Sequence, residues 1–148
     1  MSVAYSELWN LIQNHVSKVH GVQYTSLVRN NADMMIIHRT AQLFILEVFL
    51  HQHREQYGAS VFPLKGRSAL HHVILLKYKW PLPTIRNLSL SDSLFVIQDE
   101  LTLDNLPESA QKFLSNQILL VTQIEFEHLH DDEWDPALGE IFLRTHKP

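Results

Sequence analysis

Residues 31–58 read NADMMIIHRTAQLFILEVFLHQHREQYG, and this stretch decides how the rest of the chain is read. From Ala32 to Tyr57 it holds neither glycine nor proline, the two residues that most often break a helix. Asn30 and Asn31 stand before it, and an asparagine side chain at a helix start accepts a bond from an orphan backbone N–H. Asp33 falls in the first turn, where the helix dipole favours a negative charge. Gly58 follows as a stop signal. Between these signals Ile37, Ala41, Phe44, Ile45, Val48 and Leu50 recur at helical spacing. A second set, Ile36, Leu43, Leu46 and Phe49, covers much of the opposite side. A helix apolar around most of its circumference belongs in the middle of a bundle. Its length is roughly 39 Å at about 1.5 Å per residue. His38, Arg39, Gln42 and Glu47 interrupt the apolar run, so it does not read as a membrane span, which needs roughly 20 apolar residues.

The chain of 148 residues fits a single globular domain over 1–148. It is long enough to bury a sizeable core. With no cysteine in the sequence, disulfides, thiolate catalysis and zinc-finger ligation are excluded. The opening residues MSVAYSELWN carry no basic region followed by an apolar core, so no secretory leader is expected and a cytoplasmic location is. The net charge of −4 hides a division. Residues 1–90 hold nine Lys/Arg against four Asp/Glu, whereas residues 91–148 hold three against twelve. Such asymmetry fits a nucleic-acid surface, or two halves that attract each other within the fold or in a dimer.

Outward from the central helix, Tyr5 to Val19 carries an apolar stripe of Leu8, Leu11, Ile12, Val16 and Val19, and His20-Gly21 ends it. Val22 to Val28 has strand character, and Val61-Phe62 can pair with it, giving a small β-hairpin from residues 22–28 and 59–63. Ser68 to Trp80 reads as a third helix that Pro81 stops. The WPLP segment reads as an extended corner. From Thr84 the chain turns helical again, with Leu88, Leu90, Leu94, Phe95, Ile97 and Leu101 on one face and Ser89 or Ser91 as cap. Pro107 suits the first position of a long helix reaching about Leu129. Asp135 and Pro136 read as cap and first residue of a terminal helix through Arg144. The fold expected is all-α, a compact bundle of about six helices.

Two groups of residues carry candidate chemistry. Lys65, Arg67, Lys77, Lys79 and Arg86, with Trp80 and other rings among them, form a basic segment interleaved with aromatics. Phosphate contact plus base stacking would use such a set. Glu47 and His51 share a helix face at i, i+4, and Glu125 and His128 have the Glu-x-x-His spacing of di-iron bundles. Imidazole and carboxylate together suit zinc, iron or manganese, so Glu47, His51, Glu125 and His128 form a candidate metal set. The acidic run from Glu125 to Asp135 lacks the calcium-loop pattern and reads as a solvated loop whose acids pair with the basic segment. There is no G-x-S-x-G elbow, P-loop or G-x-G-x-x-G. The expectation is a non-enzymatic cytoplasmic protein that works through protein–protein contact as an adaptor or regulator, as a dimer or with a protein partner. A nucleic-acid-binding regulator using residues 65–86 and a metal-dependent helical-bundle enzyme are the alternatives. No particular cofactor is implied and no membrane.

Overall fold

The computed structural model describes residues 2–21, 31–59, 61, 63–117 and 129–146. Among these residues it holds seven α-helices and no strand: α1 Ser2–His20, α2 Asn31–Tyr57, α3 Arg67–Tyr78, α4 Leu82–Arg86, α5 Leu90–Val96, α6 Glu108–Gln117 and α7 Pro136–Thr145. Single 3-10 turns lie at Leu103–Asn105 and Asp131–Glu133. The all-α bundle is as the apolar spacing predicts. The hairpin expected at 22–28 and 59–63 falls largely outside the described residues, as does the expected extension of α6 beyond Gln117.

Helix α2 is the axis. From Ile36 to Leu50 every residue except His38 and Phe49 is buried. By length and composition the segment Met34–Tyr57 could cross a membrane, yet 72% of its most apolar window is buried within the fold. Neighbouring helices take the place of lipid. Helices α1, α3 and α7 all pack on α2, and α1 makes the most extensive contact. An aromatic cluster joins α1, α2 and α6. Phe44 stacks on Phe113 at 5.2 Å between ring centres, and Tyr5 and Trp9 meet both rings at 5.7–6.0 Å. Such pairs add on the order of 1 kcal/mol each beyond the area they bury.

The end of α2 shows why glycine stands at 58. Its N–H bonds the Arg54 carbonyl at 2.8 Å, and a Cβ there would lie 2.6 Å from that same oxygen. No side chain fits so close an approach.

Three boundaries differ from the spacing-based reading. Helix α3 ends at Tyr78 rather than Trp80, because Lys79 turns left-handed (φ 58°) and its N–H caps the Leu75 carbonyl. Trp80 precedes a proline and is barred from helical geometry. The WPLP segment is not an extended corner throughout. Pro83 sits in the first turn of α4, where its missing N–H would find no partner in any case. The helix expected from Thr84 onward is two helices. Ser89 accepts from the Asp92 N–H and starts α5 afresh, so Leu88 and Leu90 belong to different segments.

The opposed charges of the two halves meet inside the fold. Arg39 pairs with Glu133, Arg67 with Asp131, and Lys77 with Asp99 and Glu100. The acidic run is therefore not simply a solvated loop: Glu133 and Trp134 are both buried.

Candidate functional site

The basic segment spans the start of α3 to the end of α4. Arg67 opens α3, donates to Asp131 at 3.2 Å and lies 5.2 Å from the centre of the Trp134 ring. Lys77 in the last turn donates to Asp99 at 2.6 Å and to Glu100 at 3.2 Å. Two of the five cations are thus engaged with carboxylates. Lys65, Lys79 and Arg86 are exposed and hold no ion pair among the described residues. Arg86 closes α4, and with Arg67 it faces His71. Burial first, then these two guanidinium groups, lowers the His71 pKa.

Rings and aliphatic chains interleave with these cations as expected. Trp80 stacks on Tyr78 with ring centres 4.5 Å apart and planes 15° from parallel. The Tyr78 hydroxyl donates to the Val96 carbonyl at 2.6 Å, which ties the end of α3 to the end of α5. Leu76, Tyr78, Leu82 and Phe95 are exposed at 37%, 38%, 39% and 67%. Phe95 contributes nothing to the core on which its helix packs. The sequence reading placed it on the buried face of one long helix. Leu90, Leu94 and Ile97 take the buried side, and Phe95, about 100° round from Leu94, falls on the outer one.

Along α2 runs a buried polar stripe that the C-terminal segment covers. Arg39 donates to Glu133 Oε1 at 2.5 Å, and His20 lies 3.1 Å from Glu133 Oε2. The His130 N–H also donates to Glu133. Burial would push the Glu133 carboxyl up, but these three partners outweigh it and hold it below the usual range. Two turns on, Glu47 accepts from the Trp134 indole N–H through Oε1. Its Oε2 is buried with no hydrogen-bond partner among the described residues. Burial raises its pKa to about 7, against the lowering effects of Trp134 and Arg54. The Cα of Gly139 on α7 lies directly against this carboxyl: a Cβ there would come within 1.6 Å of Oε2.

The candidate metal set is only partly within view. Glu47 faces Trp134, while His51 pairs with Glu55 at 2.8 Å one turn further on. Glu125 and His128 lie outside the described residues. Among the described residues no group of three or more His, Asp or Glu side chains is placed to hold a metal ion.

A pair of histidines that the sequence reading did not single out joins α2 to α3. His53 Nε2 and His72 Nδ1 are 2.8 Å apart, and the Tyr57 ring packs on both. Burial first, then His72 and Arg54, lowers the His53 pKa to about 4. His53 borders a cleft of about 400 Å³ whose wall includes Gln52, Gln56, Lys77 and Glu100. One signal for His53 was available. Leu46, Leu50 and His53 follow at i, i+4, i+7, so His53 continues the core-facing stripe. Its partner on α3 could not be found without the helix packing.

Comparison with family models, curated proteins and solved structures gives no match.

Proposed function

We propose that this protein acts through protein–protein contact, as a non-enzymatic adaptor or regulator in the cytoplasm, and that Tyr78, Trp80, Leu82 and Phe95 form its docking face. The observation that carries this reading is the exposure of Tyr78, Leu82 and Phe95 at the end of α3, the start of α4 and the end of α5. Interface cores are enriched in aromatic residues and arginine, and a contiguous exposed apolar surface commonly marks a binding site. Lys79 and Arg86, without ion-pair partners among the described residues, give this face a positive edge. The partner it suits presents apolar anchors flanked by Asp or Glu. The apolar circumference of α2 is spent on α1, α3 and α7, which removes it as an argument for a dimer. The lack of cysteine suits a reducing compartment.

Selection from a displayed peptide library tests this. Enriched peptides should combine an aromatic or leucine anchor with flanking acidic residues, and binding should fall at least tenfold for Phe95→Asp and for Lys79→Glu. Enrichment that ignores both substitutions contradicts the assignment. Nucleic-acid binding is the second reading, favoured by the Tyr78–Trp80 stack beside Lys79. It requires binding of a labelled single strand that weakens steeply with salt.

A further inference from the structure

We infer that the cleft between α2 and α3 is a binding site for a small uncharged molecule that carries a carboxamide head on an apolar body. Its volume of about 400 Å³ falls in the range of small-ligand pockets. Residues of both helices line it, and Asn105 joins them from the 3-10 turn at Leu103–Asn105.

The first argument is a polar atom without a partner. His53 is only 9% exposed, and its ring lines the cleft. Nε2 is taken by His72 Nδ1 at 2.8 Å. The other ring nitrogen, Nδ1, bonds nothing among the described residues and is not sealed from solvent. Polar groups so deeply placed in a fold normally have a hydrogen-bond partner, and here the cleft is where one can sit. The bond to His72 sets what Nδ1 offers. When His53 donates to His72, Nδ1 is an acceptor; when His72 donates, Nδ1 carries the proton. The imidazole can therefore meet either an amide N–H or an amide carbonyl, and keeps its bond to His72 in both cases.

The second argument is a pair of fixed acceptors. Gln52 Nε2 donates to the Asn105 carbonyl at 3.0 Å, and Asn105 Nδ2 donates to the Glu100 carbonyl at 2.8 Å. Both side-chain amides line the cleft and are held by these bonds. Gln52 Oε1 and Asn105 Oδ1 remain as acceptors with no partner among the described residues. The two N–H bonds of a carboxamide supply the donors they lack. Phe49, Val73 and Leu76 line the same cleft and supply an apolar wall for the body.

Charge is the third. Lys77, on the wall, is held by Asp99 at 2.6 Å and by Glu100 at 3.2 Å. Burial first, then His72 and Arg54, keeps the His53 imidazole neutral at ordinary pH. The two cations, Lys77 and Arg54, thus balance the two carboxylates. A carboxylate ligand would meet Glu100, and an ammonium ligand would compete with Lys77 for it. An uncharged head meets neither cost and gives up less hydration on entering.

Titration of the whole isotope-labelled chain with benzamide, benzoate and benzylamine at neutral pH, followed by nuclear magnetic resonance, tests the site. The three probes share a ring and differ in the charge of the head. Benzamide should shift the side-chain amide signals of Gln52 and Asn105 and the ring signals of His53, with a Kd of about 1 mM, as suits so small a molecule. Benzoate and benzylamine should bind about tenfold more weakly or worse. Gln52→Leu, which removes one acceptor, should weaken benzamide about fivefold. The shift map of the native chain does not depend on that variant folding. No shift in the cleft near the solubility limit of benzamide, shifts centred elsewhere, equal affinity for the three probes, or an affinity indifferent to Gln52→Leu would overturn the inference.

Discussion

Glu47 is the side chain whose surroundings depart furthest from what its chemistry prefers. It is almost wholly buried, one oxygen is satisfied by Trp134 and the other by no group among the described residues. The folded chain therefore holds a proton on it more tightly than the unfolded chain does. The unfolded carboxyl titrates near 4.5 and the folded one near 7. A raised carboxyl pKa means that stability falls as pH climbs through this window and that the loss is complete above it. The full effect is on the order of 3 kcal/mol. His53 works in the opposite sense. Its pKa is lowered to about 4 in the fold, so stability falls as pH drops from 6.5 toward 4. In the native chain the two slopes oppose each other between pH 4.5 and 6.5. Glu47→Gln keeps the shape of the protonated acid and removes one slope. Urea unfolding across pH 5–8 should show the variant gaining on the native chain with rising pH, by up to about 3 kcal/mol. It should also lose stability on acidification below 6.5, where the native chain changes little. Parallel curves for the two proteins would show that Glu47 does not titrate in this range.

At the scale of elements, α7 meets α2 through a close approach at Gly139 and buries Phe142 and Leu143 in the core. Gly139 lets the two helices approach over Glu47, and Asp135 caps α7 through the Ala137 N–H at 3.1 Å. Gly139→Ala should destabilise the fold by about 1–3 kcal/mol, the usual range for forced overpacking. Glu47→Ala alone leaves a void. The double variant should recover at least about 1 kcal/mol of the sum, because the small side chain admits the new methyl. Additive costs in a double-mutant cycle would show that the two residues do not touch. Which elements were legible follows the same logic. The bounds of α2 and the Asp135-Pro136 start of α7 could be read directly, since caps, glycine and apolar period agree there. The Leu88–Leu101 face misled, because leucines on both sides of Ser89 keep helical spacing while the chain between them breaks. Lys79 gave no warning, since lysine has no preference for the left-handed conformation it adopts in capping α3. Arg39 and Glu47 read as mere interruptions of an apolar run, and Arg54 carried no reading of its own. Their partners, Glu133, Trp134 and the carbonyls of Leu64 and Gly66, lie far enough along the chain that only packing reveals them.

For the whole molecule, the charge division visible in the sequence is largely an internal matter. Cations of the first ninety residues meet anions of the remainder at Arg39–Glu133, Arg67–Asp131 and Lys77–Asp99. The exposed pairs contribute little each, whereas Arg39–Glu133 is buried and costly to break from one side. Once these pairings and the apolar faces of α2 are accounted for, the surface at the ends of α3 and α5 stands apart. It keeps exposed rings, and beside them Lys79 and Arg86 without ion-pair partners among the described residues. That it docks a protein partner is the central claim, and site-specific photo-crosslinking in cells tests it most directly. A photoreactive phenylalanine analogue placed at Phe95 or Leu82 should give one discrete adduct, which Lys79→Glu abolishes. The same group at Lys18 on α1 or Lys112 on α6 should give none. Adducts of equal yield from all four positions, or none from positions 82 and 95, would contradict the account.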